Sequence, residues 1–299
     1  MTTVLDGGLA TELEARGHDL SDRLWSARLL LTEPEAIEEV HLAYFRAGAR
    51  VATTASYQAS VEGFAAAGLD RDTALRAMRR SVELASRARD RFRAEQAAAG
   101  RDPGELLIAG SVGPYGAMLS DGSEYRGDYD PGDAVLEAFH RPRMETLVAA
   151  GVDLLAVETI PTVREARVLA RLLDDVRVPA WISYSCRDGT TTSAGEPFAE
   201  AVAVASSARN VVAAGVNCTA PQHVRSLLKI ARASTDVPRI AYPNRGDTWD
   251  PDTRRWRGDR AGSWNPAVVA SWTVLGAEWL GGCCGTGPSD IRELARALA

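Results

Sequence analysis

Along this chain, short runs of apolar and β-branched residues alternate with longer stretches of helical period. The runs lie at about 4–5, 50–54, 106–111, 154–159, 180–185, 214–218, 239–242 and 278–282. The helical stretches are 34–47, 72–99, 134–150, 164–176, 199–208, 221–233, 266–275 and 288–299. In the first of these, apolar residues at 37, 40, 44 and 45 share one helix face. Strand and helix alternating in this way form βαβ units and a parallel sheet. Eight of each, with no linker rich in Pro, Gly or Ser, predict an α/β protein built as one (β/α)8 TIM barrel, a single domain over 1–299. An open doubly wound sheet is the second reading. The fingerprint G-x-G-x-x-G is missing after the first run, which removes that fold's commonest use.

Punctuation supports the helices. Thr32-Glu33-Pro34-Glu35 offers a capping hydroxyl, an early proline and acidic residues, and Pro288-Ser289-Asp290 repeats the scheme. Gly48, Gly151 and Gly215 each stand between a helical stretch and a strand, where a left-handed cap is expected.

Composition narrows the function more than the fold. The 299 residues, 45% hydrophobic and 25% charged, provide a full core. A net charge of −6 and a pI near 5.4 supply no basic field for nucleic acid or anionic lipid. The first residues lack a basic segment followed by an apolar one, and no apolar run reaches the length of a membrane span. The expectation is a cytoplasmic protein acting on small molecules, with its oligomeric state left open. Four cysteines, at 186, 218, 283 and 284, make no disulfide framework, and in a reducing compartment they point to metal or catalysis.

Barrel enzymes build their chemistry at the carboxyl ends of the strands, and here the unusual residues gather there. Asp6-Gly7-Gly8 ends the first run, Thr53 to Tyr57 the second, Ser111 to Tyr115 the third and Glu158-Thr159 the fourth. Asn217-Cys218-Thr219 ends the sixth, Tyr242-Pro243-Asn244 the seventh and Gly281-Gly282-Cys283-Cys284-Gly285 the eighth. Neighbouring strand residues face opposite sides, so Cys283 and Cys284 reach one point only through a kinked exit, which the flanking glycines permit. Cys218, two strands away, completes a three-thiolate set. Soft thiolates select zinc, and three protein ligands leave a position for substrate. Cys186, alone, is expected to be a small buried residue. His18, His41, His140 and His223 lack metal-binding spacing and are expected in core or surface roles.

Asp6 and Glu158 stand alone among apolar neighbours. A carboxylate facing into a barrel needs a cation, and a substrate ammonium is the functional reading. A helix cap for Asp6 and an arginine partner for Glu158 are the alternatives. The amides from Gly7 to Ala10 open a short helix and suit a carboxylate. Together these read as a clamp for an α-amino acid beside a metal. The segments 245–265, with Trp249, Trp256 and Trp264, and 122–132, with Tyr125 and Tyr129, are candidate lids.

The segments Leu5-Asp6-Gly7-Gly8-Leu9-Ala10-Thr11-Glu12-Leu13, Thr54-Ala55-Ser56-Tyr57-Gln58-Ala59-Ser60, Gly215-Val216-Asn217-Cys218 and Gly281-Gly282-Cys283-Cys284 resemble the homocysteine S-methyltransferase family. The match runs from residue 4 to about residue 295. It implies a (β/α)8 barrel with zinc held by Cys218, Cys283 and Cys284. It also implies that Asp6 and Glu158 hold the homocysteine amino group, with the Gly7 and Gly8 amides near its carboxylate and Asn217 and Tyr57 on the substrate side. In some relatives the tyrosine matching Tyr57 fills the open zinc position until homocysteine displaces it. Gly285 stands where the family often has arginine, and Arg245 where it often has serine. These departures bear on the methyl donor and leave the zinc set intact. Nothing in these 299 residues resembles a cobalamin or folate module or the C-terminal extension of betaine-using relatives, so none is expected to take part. It is similar to the branch that uses S-methylmethionine or S-adenosylmethionine.

The expected reaction is methyl transfer from a sulfonium to the homocysteine thiolate, giving methionine. Zinc supplies the thiolate, and no side chain beyond the metal set is expected to act as a catalyst. Opposite charges vanish along the path, so a dry site favours it. Tyr115 and the tryptophans of 245–265 are candidates to face the cation. S-methylmethionine is expected to be the preferred donor and S-adenosylmethionine a weaker one, with betaine and methyltetrahydrofolate unused. The alternatives are methylation of another thiol or a selenol such as selenocysteine, or a zinc-dependent hydrolase. Three thiolates, however, make zinc a weak acid for water.

Overall fold

The predicted alternation closes into a ring in the computed structural model, which describes residues 2–20, 24, 26–246, 248–250, 255–257 and 265–299. The strands are β1 (Thr3–Val4), β2 (Val51–Thr53), β3 (Leu107–Val112), β4 (Leu154–Ile160), β5 (Ala180–Tyr184), β6 (Val211–Asn217), β7 (Arg239–Tyr242) and β8 (Ala277–Leu280). All pair in parallel, in the order β1-β8-β7-β6-β5-β4-β3-β2. A parallel bridge between Leu5 and Val51, with Arg50 N donating to Val4 O at 2.7 Å, joins β1 to β2. The ring therefore leaves no free edge between them.

The crossovers are α1 (Pro34–Ala47), α2 (Arg71–Ala98), α3 (Asp133–Ala149), α4 (Val163–Leu173), α5 (Phe198–Ala205), α6 (Pro221–Ser234), α7 (Pro266–Ser271) and α8 (Pro288–Leu298). Each corresponds to a stretch of helical period, with ends that differ by a few residues. The helices Ser26–Thr32, Val61–Ala66 and Tyr115–Leu119 are additional and too short to show a period. Thr32 does not cap α1. It closes the preceding helix, and Glu33 takes the cap position with Pro34 behind it. Gly48 and Gly151 are left-handed as expected, at φ 108° and 91°. Gly215 instead lies inside β6, where a Cβ would come 2.0 Å from Ile240 O, so its bareness lets β7 approach.

Alternation along the strands sorts two cores. Leu5, Val51, Ala109, Leu154, Ala156, Trp181, Ala213, Ile240 and Tyr242 fill the barrel interior. Their neighbours, such as Ala52, Ile108, Leu155, Val157, Ile182 and Ala214, face outward under the helices. Within 245–265, Thr248–Asp250 pairs antiparallel with Arg255–Arg257. Trp264 and the side chains of Trp249 and Trp256, read as lid residues, lie outside the described residues. Among the described residues no helix is long and apolar enough to cross a membrane.

Candidate active site

The three cysteines converge at the carboxyl end of the barrel. On β6 the parity of Ala213 turns Asn217 inward and would turn Cys218 away. A left-handed residue at Cys218, φ 44°, breaks the pleat and redirects it. Such a conformation costs a side-chain-bearing residue about 1–3 kcal/mol unless its surroundings impose it. Here Cys218 N donates to Tyr242 O at 3.1 Å, and Asn244 Nδ2 donates to Cys218 O at 3.2 Å. Beyond β8, Cys283 N donates to Pro243 O at 2.8 Å, and Thr286 donates twice to Cys283 O, from N at 3.1 Å and Oγ1 at 2.6 Å. Gly285 supplies the positive φ, 83°, that the third position of this turn requires.

The Cys218 and Cys284 sulfurs stand 3.6 Å apart, those of Cys283 and Cys284 4.0 Å, and all three lie within 4.8 Å of one another. Thiolates held tetrahedrally at ~2.3 Å from one zinc ion would stand ~3.8 Å apart, so the donor set fits that ion. The neighbouring Cys283 and Cys284 thiols hold Cys218 well below the usual thiol value, and Cys218 in turn pushes both of them up. Negative charge therefore collects on Cys218. Cys186 is buried outside this cluster, with its N–H on Thr219 Oγ1 at 2.9 Å.

The acids meet at the same end. The parity of Leu154 and Ala156 carries Glu158 inward on β4. Ser111 Oγ donates to its Oε1 at 2.5 Å and Tyr242 Oη to its Oε2 at 3.0 Å. Trp181 Nε1 fixes the same Tyr242 hydroxyl at 2.9 Å. Asp6 accepts from Thr53 N at 2.7 Å and Thr53 Oγ1 at 3.0 Å. Among the described residues neither acid has an arginine partner and Asp6 caps no helix, so both alternative roles fall away there. Burial pushes Asp6 up to about 8, with the charge of Glu158 adding to the rise, and pushes Glu158 up to about 7. A cation between two such carboxyls would relieve both.

Asn217 is fully buried and turned to its neighbours. Its Oδ1 accepts from Thr159 N at 2.7 Å and Ser183 Oγ at 2.8 Å, and its Nδ2 donates to Thr159 Oγ1 at 2.7 Å. These bonds hold Thr159, next to Glu158, at φ 61°. The Gly8 amide donates to Thr286 O at 3.0 Å. A Cβ on Gly8 would come 2.7 Å from Cys283 O, so this glycine lets the cysteine turn close against the end of β1.

Tyr57 is packed against Gly113, with its hydroxyl buried on the side of Thr159. Tyr115 turns into a cluster with Phe139 and Tyr129, at ring separations of 5.1 and 5.7 Å. Among the described aromatic residues Tyr125 reaches the sulfurs, its hydroxyl 3.5 Å from Cys218 Sγ. Its 3-10 turn, Ser123–Tyr125, makes a wall of the site, and Glu124 within that turn is buried, pushed up to about 7 chiefly by burial. Thr53, Ser111, Glu124 and Tyr242 carry no role in the sequence reading. Thr53, Ser111 and Tyr242 are signalled there only by a position at a strand end, and Glu124 only by lying in the candidate lid 122–132.

Residues 3–298 match the model of the family described as homocysteine S-methyltransferase. This chain belongs to that family. It is 46% identical over 293 residues to homocysteine S-methyltransferase YbgG of Bacillus subtilis, covering 98% of this chain and 93% of the relative. A selenocysteine Se-methyltransferase of Brassica oleracea var. italica is 41% identical over 309 residues, covering 99% of this chain and 88% of that one. The metallated form of the homocysteine methyltransferase MmuM from Escherichia coli superposes with a TM-score of 0.89 at 45% identity, covering 99% and 96% of the two chains. The barrel, the methyltransferase class and small-molecule substrates follow with the family.

The two departures from the homocysteine S-methyltransferase pattern meet in space. A Cβ on Gly285 would come 3.0 Å from the Cβ of Arg245, so the Arg245 side chain covers the glycine. Its guanidinium pairs with Asp290 at 2.5 Å, at the start of α8.

Proposed function

We propose that this family member transfers a methyl group from a small sulfonium donor to the thiol of L-homocysteine, giving methionine. The observation that carries this reading is the convergence of three sulfurs and two buried carboxyls at one end of one barrel. Cys218, Cys283 and Cys284 would hold zinc, which when bound keeps an incoming thiol ionised at neutral pH. Asp6 and Glu158 take the ammonium of homocysteine, already oriented by Thr53, Ser111 and Tyr242. With the Gly8 amide spent on Thr286, the substrate carboxylate belongs at Gly7 and the first turn of the helix Leu9–Ala15. Asn217 serves by holding the ends of β4 and β6 rather than by touching substrate. Tyr57 and Tyr125 line the sulfur end with aromatic carbon and limit water there. A selenol is the second acceptor class, favoured by the similarity to a selenocysteine Se-methyltransferase. Four free cysteines suit a reducing compartment such as the cytoplasm.

The test is a methyl-transfer assay with labelled homocysteine and four competing donors. S-methylmethionine should turn over first and S-adenosylmethionine more weakly. Betaine and methyltetrahydrofolate should give nothing, and turnover with betaine alone would overturn the sulfonium reading.

A further inference from the structure

Asp6 and Glu158 suffice for the one ammonium of homocysteine, and protein donors hold both. Glu124 is a third acid at the same end, and its situation differs. It is 8% exposed, and its Oε2 is buried with no hydrogen-bond partner among the described residues. The turn that carries it is fixed. Ser185 Oγ donates to Glu124 O at 3.0 Å, and a Cβ on Gly116 would strike Glu124 N at 2.7 Å. Glu124 precedes Tyr125 in this turn, and the Tyr125 hydroxyl stands 3.5 Å from Cys218 Sγ, so the turn places the carboxyl beside the sulfur cluster, where the charge of Cys218 is felt at Glu124.

Among the described residues the nearby cations bond to other groups, and the charge of Arg126 reaches Glu124 as a smaller influence than those of Cys218 and Asp121. Arg126 turns to Asp128 Oδ2 at 2.8 Å and Asp121 O at 2.9 Å. Arg143 spends its three nitrogens on the carbonyls of Ala59, Gly113 and Tyr57. A buried carboxyl oxygen without a partner is costly, and one that persists beside a binding site calls for a cationic ligand.

We propose that Glu124 is the counter-charge for the sulfonium of the methyl donor, whose sulfur sits between Glu124 and the rings of Tyr57 and Tyr125. This rests on the sulfonium reading above. In the transfer, the methyl–sulfur bond of the donor breaks with its electron pair going to the donor sulfur. A lone pair of the homocysteine thiolate forms the new carbon–sulfur bond, and no proton moves. The donor leaves as a neutral sulfide with no attraction to Glu124, so the carboxylate favours substrate over product. Because positive charge is largest before transfer, Glu124 contributes more to donor binding than to the chemical step.

The experiment compares parent and Glu124→Gln for binding of S-methylmethionine and of its uncharged carbon isostere, 2-amino-5-methylhexanoate, by calorimetry. Zinc content and homocysteine affinity are measured on the same preparations. The parent should prefer the sulfonium by about tenfold or more, as expected for a charge-assisted contact. Glu124→Gln should lose that preference, with donor KM raised by a similar factor, kcat changed less, and zinc and homocysteine binding kept. Glu124→Asp should retain part of the preference, and it reports alone if the glutamine variant does not fold. Equal preference in parent and Glu124→Gln, or a loss confined to homocysteine affinity, would overturn the role of Glu124. Sulfonium turnover absent from the parent would instead overturn the donor reading.

Discussion

Cys218 and Thr159 both hold left-handed backbones, at φ 44° and 61°, and both conformations are imposed by Asn217, Tyr242 and Asn244. Strain of this kind aims the Cys218 sulfur where a regular strand would not, while Glu158 is carried inward by the parity of β4. About one zinc per chain is expected, lost on replacing Cys218, Cys283 or Cys284 by alanine, as read by metal analysis. Cys186→Ala, outside the cluster, should keep metal and activity. Asp6→Asn and Glu158→Gln should each weaken homocysteine about tenfold or more with zinc content unchanged. Unchanged homocysteine affinity in both variants would remove the clamp. The free acids are pushed up to about 8 and about 7, and an arriving ammonium favours their ionised forms. Binding should therefore release protons, and affinity should rise with pH across that window. Calorimetry in buffers of different ionisation enthalpy reads this directly, and proton uptake would contradict it.

Two helices carry buried groups that the chemistry does not touch. His41 on α1 is fully buried, with both ring nitrogens unpartnered among the described residues. Burial lowers it from 6.5 to about 4, against a smaller opposing effect of Glu38, which pairs with Arg87 and Arg91 on α2. The folded pKa lies below the unfolded one, so between those values the unfolded chain binds the extra proton. Stability is thus present above 6.5 and falls as pH drops toward 4, by about 3 kcal/mol in full. His41→Leu should melt near the parent at neutral pH and above it at pH about 4.5. An unchanged acid limb would clear His41. On α3, Arg143 joins the ends of β2 and β3 through three main-chain carbonyls. Arg143→Met would leave those carbonyls bare at about 1–3 kcal/mol each. It should lower the denaturant midpoint and loosen the Tyr57 loop, weakening homocysteine without loss of zinc.

The ring closes through Leu5 and Val51 and through paired strands, none of which needs the metal. With an inner and an outer core of its own, the chelator-stripped protein should keep its far-UV circular dichroism and lose homocysteine binding, unlike a zinc finger, which unfolds. Unfolding on chelation would mean that the cysteine turn helps to close the barrel.

Periods of two and 3.6 are properties of the local chain, so the eight strands, the eight crossovers and the strand-end placement of Asp6, Glu158 and the cysteines could be read from residue order alone. The resemblance to the family followed from motifs of the same local kind. Tertiary structure decided what stands opposite each group. Glu158 meets hydroxyls from β3 and β7, while Asn217 spends its amide on neighbouring strand ends. Tyr125 reaches Cys218 where Tyr115 does not, and Gly215 spaces two strands where a cap was expected. Glu124 has no local signal of its own. It becomes an unpartnered buried acid only because the end of β5 and the sulfur cluster close around its turn. Periodicity states which face a residue occupies, and only the closed barrel determines the partners across it.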